Sequence, residues 1–304
     1  MDPLESNTDV LSSDRRAELS AAIAEIPNGS TVGIGGYFQH RHPMALVREL
    51  IRQRKKDLHV ITPLPGIDAE LMLAAGVVKR ITFGFVSMDV FGQSPSFRKA
   101  VESGQVESVE FGDIALIRSL EAAERGLPGM PARAWLGSDM QSHHPGHPIE
   151  IQGESLWFTP AITPDWALVH VPVATARGDL GIAGEAYDAT LVKAAVRVIA
   201  STEKVISARE LRRNWNGRTV HRYASDFVVE APFGAHPTSC FPNYVQDVPA
   251  LVDYMSSVQS PDFHPSQVVR NSEDEYLNSI APKDLLHLQR RMSLAVRLAH
   301  KYEK

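Results

Sequence analysis

Residues 32–43 read VGIGGYFQHRHP, and the reading of this stretch decides the fold. A short apolar, β-branched run from Ser30 to Ile34 enters a turn with glycines at 33, 35 and 36. Pro43 then stands where a helix begins, because its missing N–H costs nothing at the first helical position. Strand, glycine turn and helix in that order open a parallel α/β sheet, and such turns most often cradle phosphate. The spacing here argues against the two common phosphate loops. The dinucleotide fingerprint wants a small third residue where this chain has Phe38, and no Lys–Ser/Thr pair follows for a P-loop. Gly33, Gly35 and Gly36 need another explanation.

Outward from this stretch the same alternation continues. Upstream, residues 14–26 place Leu19, Ile23 and Ile26 on one helical face, closed by Pro27-Asn28-Gly29. Downstream, Met44, Val47, Leu50 and Ile51 recur at helical spacing. Strands are expected over 58–62, 80–85 and 106–111, and helices over 69–75, 96–103 and 113–125. This pattern predicts an α/β fold with an open, mostly parallel sheet flanked by helices. Residues 128–148, rich in Pro, Gly and His, are expected to lie over the surface. Beyond them, 149–158, 166–173, 196–201 and 226–231 read as strands and 189–195 as a helix. A last amphipathic helix starts at Lys283 and runs through Leu285, Leu288, Met292 and Val296. No repeat or break in composition divides the chain. It reads as one domain over 1–304, with a core over about 15–250 and a helical extension over about 250–304.

Composition narrows the function. With 43% hydrophobic and 22% charged residues the chain is of ordinary globular type, and a net charge of −5 gives no support to a nucleic-acid or membrane-surface partner. The basic cluster Arg52, Arg54, Lys55 and Lys56 ends a helix, where the helix dipole favours it as a solvated face. Cys240 is the single cysteine, which excludes an intrachain disulfide and a thiolate metal cluster. The polar start MDPLESNTDV and the lack of a run of roughly 18 apolar residues fit a cytoplasmic protein.

Ligands of parallel sheets bind beyond the C-terminal strand ends. Gly33–Pro43, Phe85–Pro95, Glu110–Asp113 and PFGAHPTSC at 232–240 all fall at such ends. GIGGYFQHRHP at 33–43, GFVSMDVFGQSPSFRKAVESG at 84–104, GLPGMPARAWLGSDM at 126–140, FTPAITPDWALVHVPVATARGDLGI at 158–182 and PFGAHPTSCFPNY at 232–244 resemble, in that order, the α subunit of two-subunit family I CoA-transferases. The likeness is greatest to the glutaconate CoA-transferase A-subunit group and spans roughly residues 15–245. It implies the fold that family shares with sugar-phosphate isomerases, and transfer of CoA from an acyl-CoA to a dicarboxylate or keto-acid acceptor. Coenzyme A enters as a thioester substrate, with no bound cofactor. The nucleophilic glutamate of that family lies on a β subunit, in a motif not found in this chain; the partner is then a β subunit, in a heterodimer or an α2β2 to α4β4 assembly. A related branch consists of CoA-thioester hydrolases that open a ring in steroid degradation, with a base on the α subunit. The matching position here is Glu110, in VESVEFGD. The same sheet also recurs in non-catalytic ligand-binding modules.

The resemblance assigns the acyl and oxyanion site to Gly35, Gly36, Tyr37, Phe38 and Ser87, with glycines letting backbone N–H groups face a thioester. The alternative for the loop is a plain turn from strand to helix. Arg41 either pairs with a substrate carboxylate or CoA phosphate or stands exposed near the helix start. Glu110 is either a base in a cleft or a solvent-facing strand residue. His143, His144 and His147 lie in a Pro-Gly loop without further ligands at metal spacing, so no metal is expected. His236 and Thr238-Ser239 are expected to shape the mouth of the cleft or a subunit interface, and Cys240 to serve packing.

Overall fold

The computed structural model describes residues 14–183, 187–221 and 224–302, with side chains as far as residue 294. In chain order it forms α1 (Leu19–Ala24), β1 (Thr31–Ile34), α2 (Met44–Arg52), β2 (Leu58–Thr62), α3 (Ile67–Ala74), β3 (Val78–Phe83), α4 (Pro95–Glu102), β4 (Glu107–Glu110) and α5 (Asp113–Glu124). Then come β5 (Gly129–Ala132), β6 (His147–Ile151), β7 (Glu154–Pro160), β8 (Trp166–Val171), β9 (Val173–Thr175) and β10 (Leu180–Ile182). After these follow α6 (Asp188–Ala194), β11 (Arg197–Thr202), β12 (Val205–Ile206), α7 (Ala208–Asn214), β13 (Arg218–Val220) and β14 (Phe227–Glu230). Four helices close the chain: α8 (Val248–Ser257), α9 (Ser266–Val269), α10 (Glu273–Asn278) and α11 (Pro282–Tyr302).

The central sheet has seven strands in the order β14-β11-β8-β1-β2-β3-β4, and every pairing is parallel. The order reverses at β1, whose neighbours are β2 on one side and β8 on the other, so the crevice beyond Ile34 is the topological switch point where ligands of such sheets bind. β8 is buried throughout. Trp166 and Leu168 pack into one core with Ile23, Leu46, Leu50 and Leu71, while Ala167, Val169 and Val171 pack into a second with Leu191 and Val198. A strand covered on both faces is a near-continuous apolar run, with alternate residues serving opposite layers.

Four expectations are corrected. The helix expected from residue 14 begins at Leu19, because the backbone of Arg15 and Ala17 pairs with Val228 of β14 first. Residues 128–148 are not a bare surface loop: β5, β7 and β6 form a three-stranded antiparallel sheet. The strand expected over 149–158 belongs to the β6–β7 hairpin of that sheet, turning at Gln152, whose φ is 53°, and Gly153. The strand expected over 166–173 divides at Pro172 into β8 and β9, and β9 joins a small sheet in the order β12-β9-β10-β13.

Candidate functional site

At the switch point, β1 runs into Gly35-Gly36 and a tight loop that ends at Pro43. Both glycines are required by packing. A Cβ at Gly35 would stand 2.3 Å from Asp188 Oδ1. Gly36 has φ of +87°, and a Cβ there would stand 2.7 Å from His40 O and from His42 N. Two further residues of the loop, Phe38 (φ 49°) and Arg41 (φ 55°), are left-handed without being glycine. Such residues cost roughly 1–3 kcal/mol each and persist only where their surroundings over-determine them.

The surroundings do so from three sides. From α6, Asp188 Oδ1 accepts the Gly36 N–H at 2.8 Å while Oδ2 pairs with Arg41 Nη2 at 3.0 Å, and both side chains are buried. Beside it the Tyr187 hydroxyl donates to Ile34 O at 2.6 Å; burial, then the Asp188 charge, pushes that hydroxyl's pKa well up, so it stays a donor. From α3, Asp68 accepts from Gly66 N at 2.7 Å and lies 3.3 Å from His42 Nδ1. From the segment after β14, Ser239 brackets the loop: Arg41 N donates to Ser239 O at 2.7 Å and Ser239 N to Gln39 O at 3.0 Å. His40 Nδ1 lies 2.6 Å from Ser239 Oγ. Burial, then His42 and Arg41, depress the pKa of His40.

Two stretches that the sequence singled out, GGYFQHRHP and PFGAHPTSC, thus meet in space. The second is anchored in turn. Glu203, just past β11, lies 2.7 Å from His170 Nε2 and accepts from the Tyr244 hydroxyl at 2.8 Å and from Phe233 N at 2.9 Å. His236 contacts Asp247 at 3.0 Å and the Tyr276 hydroxyl at 2.7 Å. Among the described residues, the cluster with the proximity of a metal site is His170, Glu203 and Cys240, whose ligand atoms lie within 4.8 Å of one another. Its histidine and carboxylate already bond each other. His144 is stacked on Trp135, ring centroids 3.9 Å apart, instead of joining His143 and His147, which are exposed.

The geometry revises several expectations. The N–H groups of Gly35, Gly36, Tyr37 and Phe38 donate to Leu168 O, Asp188, His40 O and Leu64 O, so all four are bonded within the chain instead of being presented to a ligand. Arg41 is buried, not exposed. Its Nη1, like both side-chain polar atoms of Gln39, has no hydrogen-bond partner among the described residues. Glu110 ends the edge strand β4 with an exposed side chain, not one in a desolvated cleft. Ser87 Oγ accepts from Asp89 N at 2.9 Å and shapes the turn after β3. Phe38 meets Phe85 edge-on, ring centroids 6.3 Å apart, so the loops after β1 and β3 join in an aromatic wall. Asp188, Asp68 and His42 carry the loop, and sequence reasoning passed over all three.

Comparison with known proteins gives a consistent result. Residues 16–231 match the family model for coenzyme A transferase. The IpdA subunit of a cholesterol ring-cleaving hydrolase from Rhodococcus jostii is 34% identical over 280 residues, 86% of this chain and 94% of that protein. The A-subunit of 3-oxoadipate CoA-transferase from Pseudomonas knackmussii is 31% identical, over 73% of this chain and 80% of its own. Among solved structures, glutaconate coenzyme A-transferase of Acidaminococcus fermentans superposes with a TM-score of 0.85 at 26% identity, covering 90% of this chain and 95% of that one.

Proposed function

The chain belongs to the coenzyme A transferase family, and from that premise we propose that it is the α subunit of a cytoplasmic two-subunit CoA-transferase. It works with a β subunit, in a heterodimer or an αβ assembly up to α4β4, to move CoA from a small or dicarboxylic acyl-CoA to a carboxylate acceptor. The observation that carries this reading is the state of the carboxylates round the strand ends. The buried Asp68, Glu70 and Asp188 and the partly buried Glu203 each accept hydrogen bonds within the chain. Glu110 stands apart in solvent, which supports a subunit that builds a pocket and leaves the nucleophile to its partner.

In this chemistry the partner's glutamate attacks the thioester carbonyl, the C–S bond breaks, and the CoA thiolate leaves a mixed anhydride. The thiolate then attacks the glutamyl carbonyl, giving glutamyl-CoA and releasing the first carboxylate. An acceptor carboxylate runs the same two steps in reverse. Tyr37, Phe38 and Phe85 wall the acyl group, and Ser87 lies at the mouth. Arg41, with Nη2 held by Asp188, offers Nη1 to a substrate carboxylate. Because the amides of residues 35–38 are bonded within the chain, the oxyanion donors come from the partner's side of the pocket. Each such donor is worth roughly 2.7–4 kcal/mol in the transition state.

A second reading, a hydrolase that opens the ring of a cyclic β-keto acyl-CoA, is favoured by the 34% identical relative, a subunit of a ring-cleaving hydrolase; its candidate base, Glu110, stands in solvent at the end of β4. One experiment separates the two. The chain is co-expressed with the product of its neighbouring gene and given a panel of acyl-CoAs, with and without carboxylate acceptors, while free thiol is followed. Acyl exchange that needs an acceptor, without net thiol release, is the transferase result. Acceptor-independent conversion of a cyclic β-keto acyl-CoA, seen by mass as one water added with the thioester intact and abolished by Glu110→Ala, is the hydrolase result. Inactivity of the purified complex toward every acyl-CoA would sink both.

A further inference from the structure

His42 is fully buried, and its ring is wedged between two carbonyl oxygens of the site loop: Nδ1 lies 3.0 Å from Gly35 O and Nε2 lies 2.7 Å from Phe38 O. A neutral imidazole has one N–H and one lone pair, so either tautomer would aim a lone pair at a carbonyl oxygen. Only the imidazolium donates to both. A buried charge of this kind needs a counter-charge within reach, and Asp68, also fully buried, stands 3.3 Å from Nδ1. The two carbonyls flank Gly36, Tyr37 and Phe38, the segment that contains the left-handed Phe38. The far end of that segment is equally confined, since a Cβ at Gly66 would come within 1.9 Å of Phe38 O.

We propose that His42, as an imidazolium paired with Asp68, is a positioning residue that clamps the Gly35–Phe38 loop and so fixes Tyr37 and Phe38 against the acyl group. This role rests on the reading of that loop as the acyl-CoA site. The charged and titratable groups round the ring are Asp68 from α3, Arg41 and His40 from its own loop, and, through Arg41, Asp188 and Tyr187 from α6. Asp68 holds the proton on the ring, while Asp188 answers the charge of Arg41. Loss of the ring proton removes one of the two donors, and one end of the loop is released.

The test has two independent arms. With isotope-labelled histidine in the full chain, the ring signals of His42 should show a proton on both nitrogens at the pH of the activity assay. A single protonated nitrogen overturns the proposal, whatever the protein's activity. In the complex with its partner, Asp68→Asn should lower CoA transfer or hydrolysis, and the His42 ring signals of that variant should lose the proton on one nitrogen at the assay pH. His42→Gln, whose donors sit on one nitrogen instead of on opposite sides of a ring, should lower kcat on the order of 100-fold while KM changes little, as for a misplaced binding loop. An Asp68→Asn ring that keeps both protons, or a loss confined to KM, also overturns it. A complex inactive with every acyl-CoA would refute the functional reading alone, and the labelled-histidine spectrum would still decide the clamp. Should Asp68→Asn fail to fold, the spectrum and His42→Gln carry the test.

Discussion

Asp188 binds a backbone N–H and a guanidinium of the loop with one buried carboxylate, so its removal strands both. Asp188→Ala leaves Arg41 buried without its counter-ion, and breaking such a pair costs about 3–5 kcal/mol. The expected result is a lower urea midpoint at unchanged slope, with Asp188→Asn losing less because it keeps an acceptor for Gly36. Cys240 gives a second prediction. It is fully buried, and burial, then the Glu203 charge, pushes its thiol well above the ordinary value. The thiolate is the reactive form, so mass spectrometry should find Cys240 unmodified by an alkylating reagent at pH 8 until denaturant is added. These residues also show how far the site was legible. The glycine loop and PFGAHPTSC stand out locally, through unusual composition at strand ends. Asp188 does not: in the sequence it is one acid at a helix start, and its partners Gly36 and Arg41 lie 152 and 147 residues away. The same holds for His42, whose role depends on an aspartate from another helix.

Among the elements, those with a strong period were legible and those held by edge pairing were not. β1 to β3 and α2 to α4 follow from their apolar spacing, and all of them place buried residues in one core. The sheet β5-β7-β6 was missed because Pro131 and Pro148 make its segments read as loop. Both prolines lie on the outer strands, where a missing N–H breaks no internal ladder. Central β8 should be the most sensitive strand. Leu168→Ala removes a fully buried side chain and should cost about 2–5 kcal/mol in urea unfolding. The closing helices depend on charge. Arg48, stacked 3.6 Å over the Tyr276 ring, bonds Glu273 of α10 together with Arg52, which lies 3.1 Å from it. Burial alone would raise the Glu273 carboxyl, but the charge and bond of Arg48, then Arg52, hold it below its ordinary value of 4.5. A carboxyl held low in the folded state stabilises above its unfolded pKa, and the gain is lost as pH falls through the lower folded value. Docking of α10 should therefore weaken as pH drops below about 4.5. The check is faster proteolysis of residues 266–280 in acid, and Arg48→Met should show the same susceptibility at neutral pH.

For the whole molecule, exposed apolar residues at the strand ends give a testable place for a β subunit. Single exposed apolar residues are normal, whereas a contiguous group beside a site marks an interface. Phe85, Val90 and Ile114 are 58%, 80% and 59% exposed, and all stand at the C-terminal ends of the parallel strands. Phe85 touches Phe38 of the site loop, and Gly84 packs against the backbone of Asp113, next to Ile114. Val196, also 69% exposed, precedes β11 at the opposite end of the sheet and serves as an internal control. If the β subunit completes the pocket from the strand ends, its binding should slow hydrogen exchange over residues 84–91 and 111–117 and leave the segment around Val196 unchanged. Phe85→Asp should weaken the complex by about 2 kcal/mol, roughly 30-fold in Kd, as loss of an aromatic anchor does. It should leave the free subunit's unfolding midpoint unmoved, since the ring is already in solvent. Sedimentation of the mixed subunits reads the first effect and urea titration the second. Protection at the Val196 end, with an unchanged Kd for Phe85→Asp, would place the partner on the other face and separate the acyl pocket from the subunit interface.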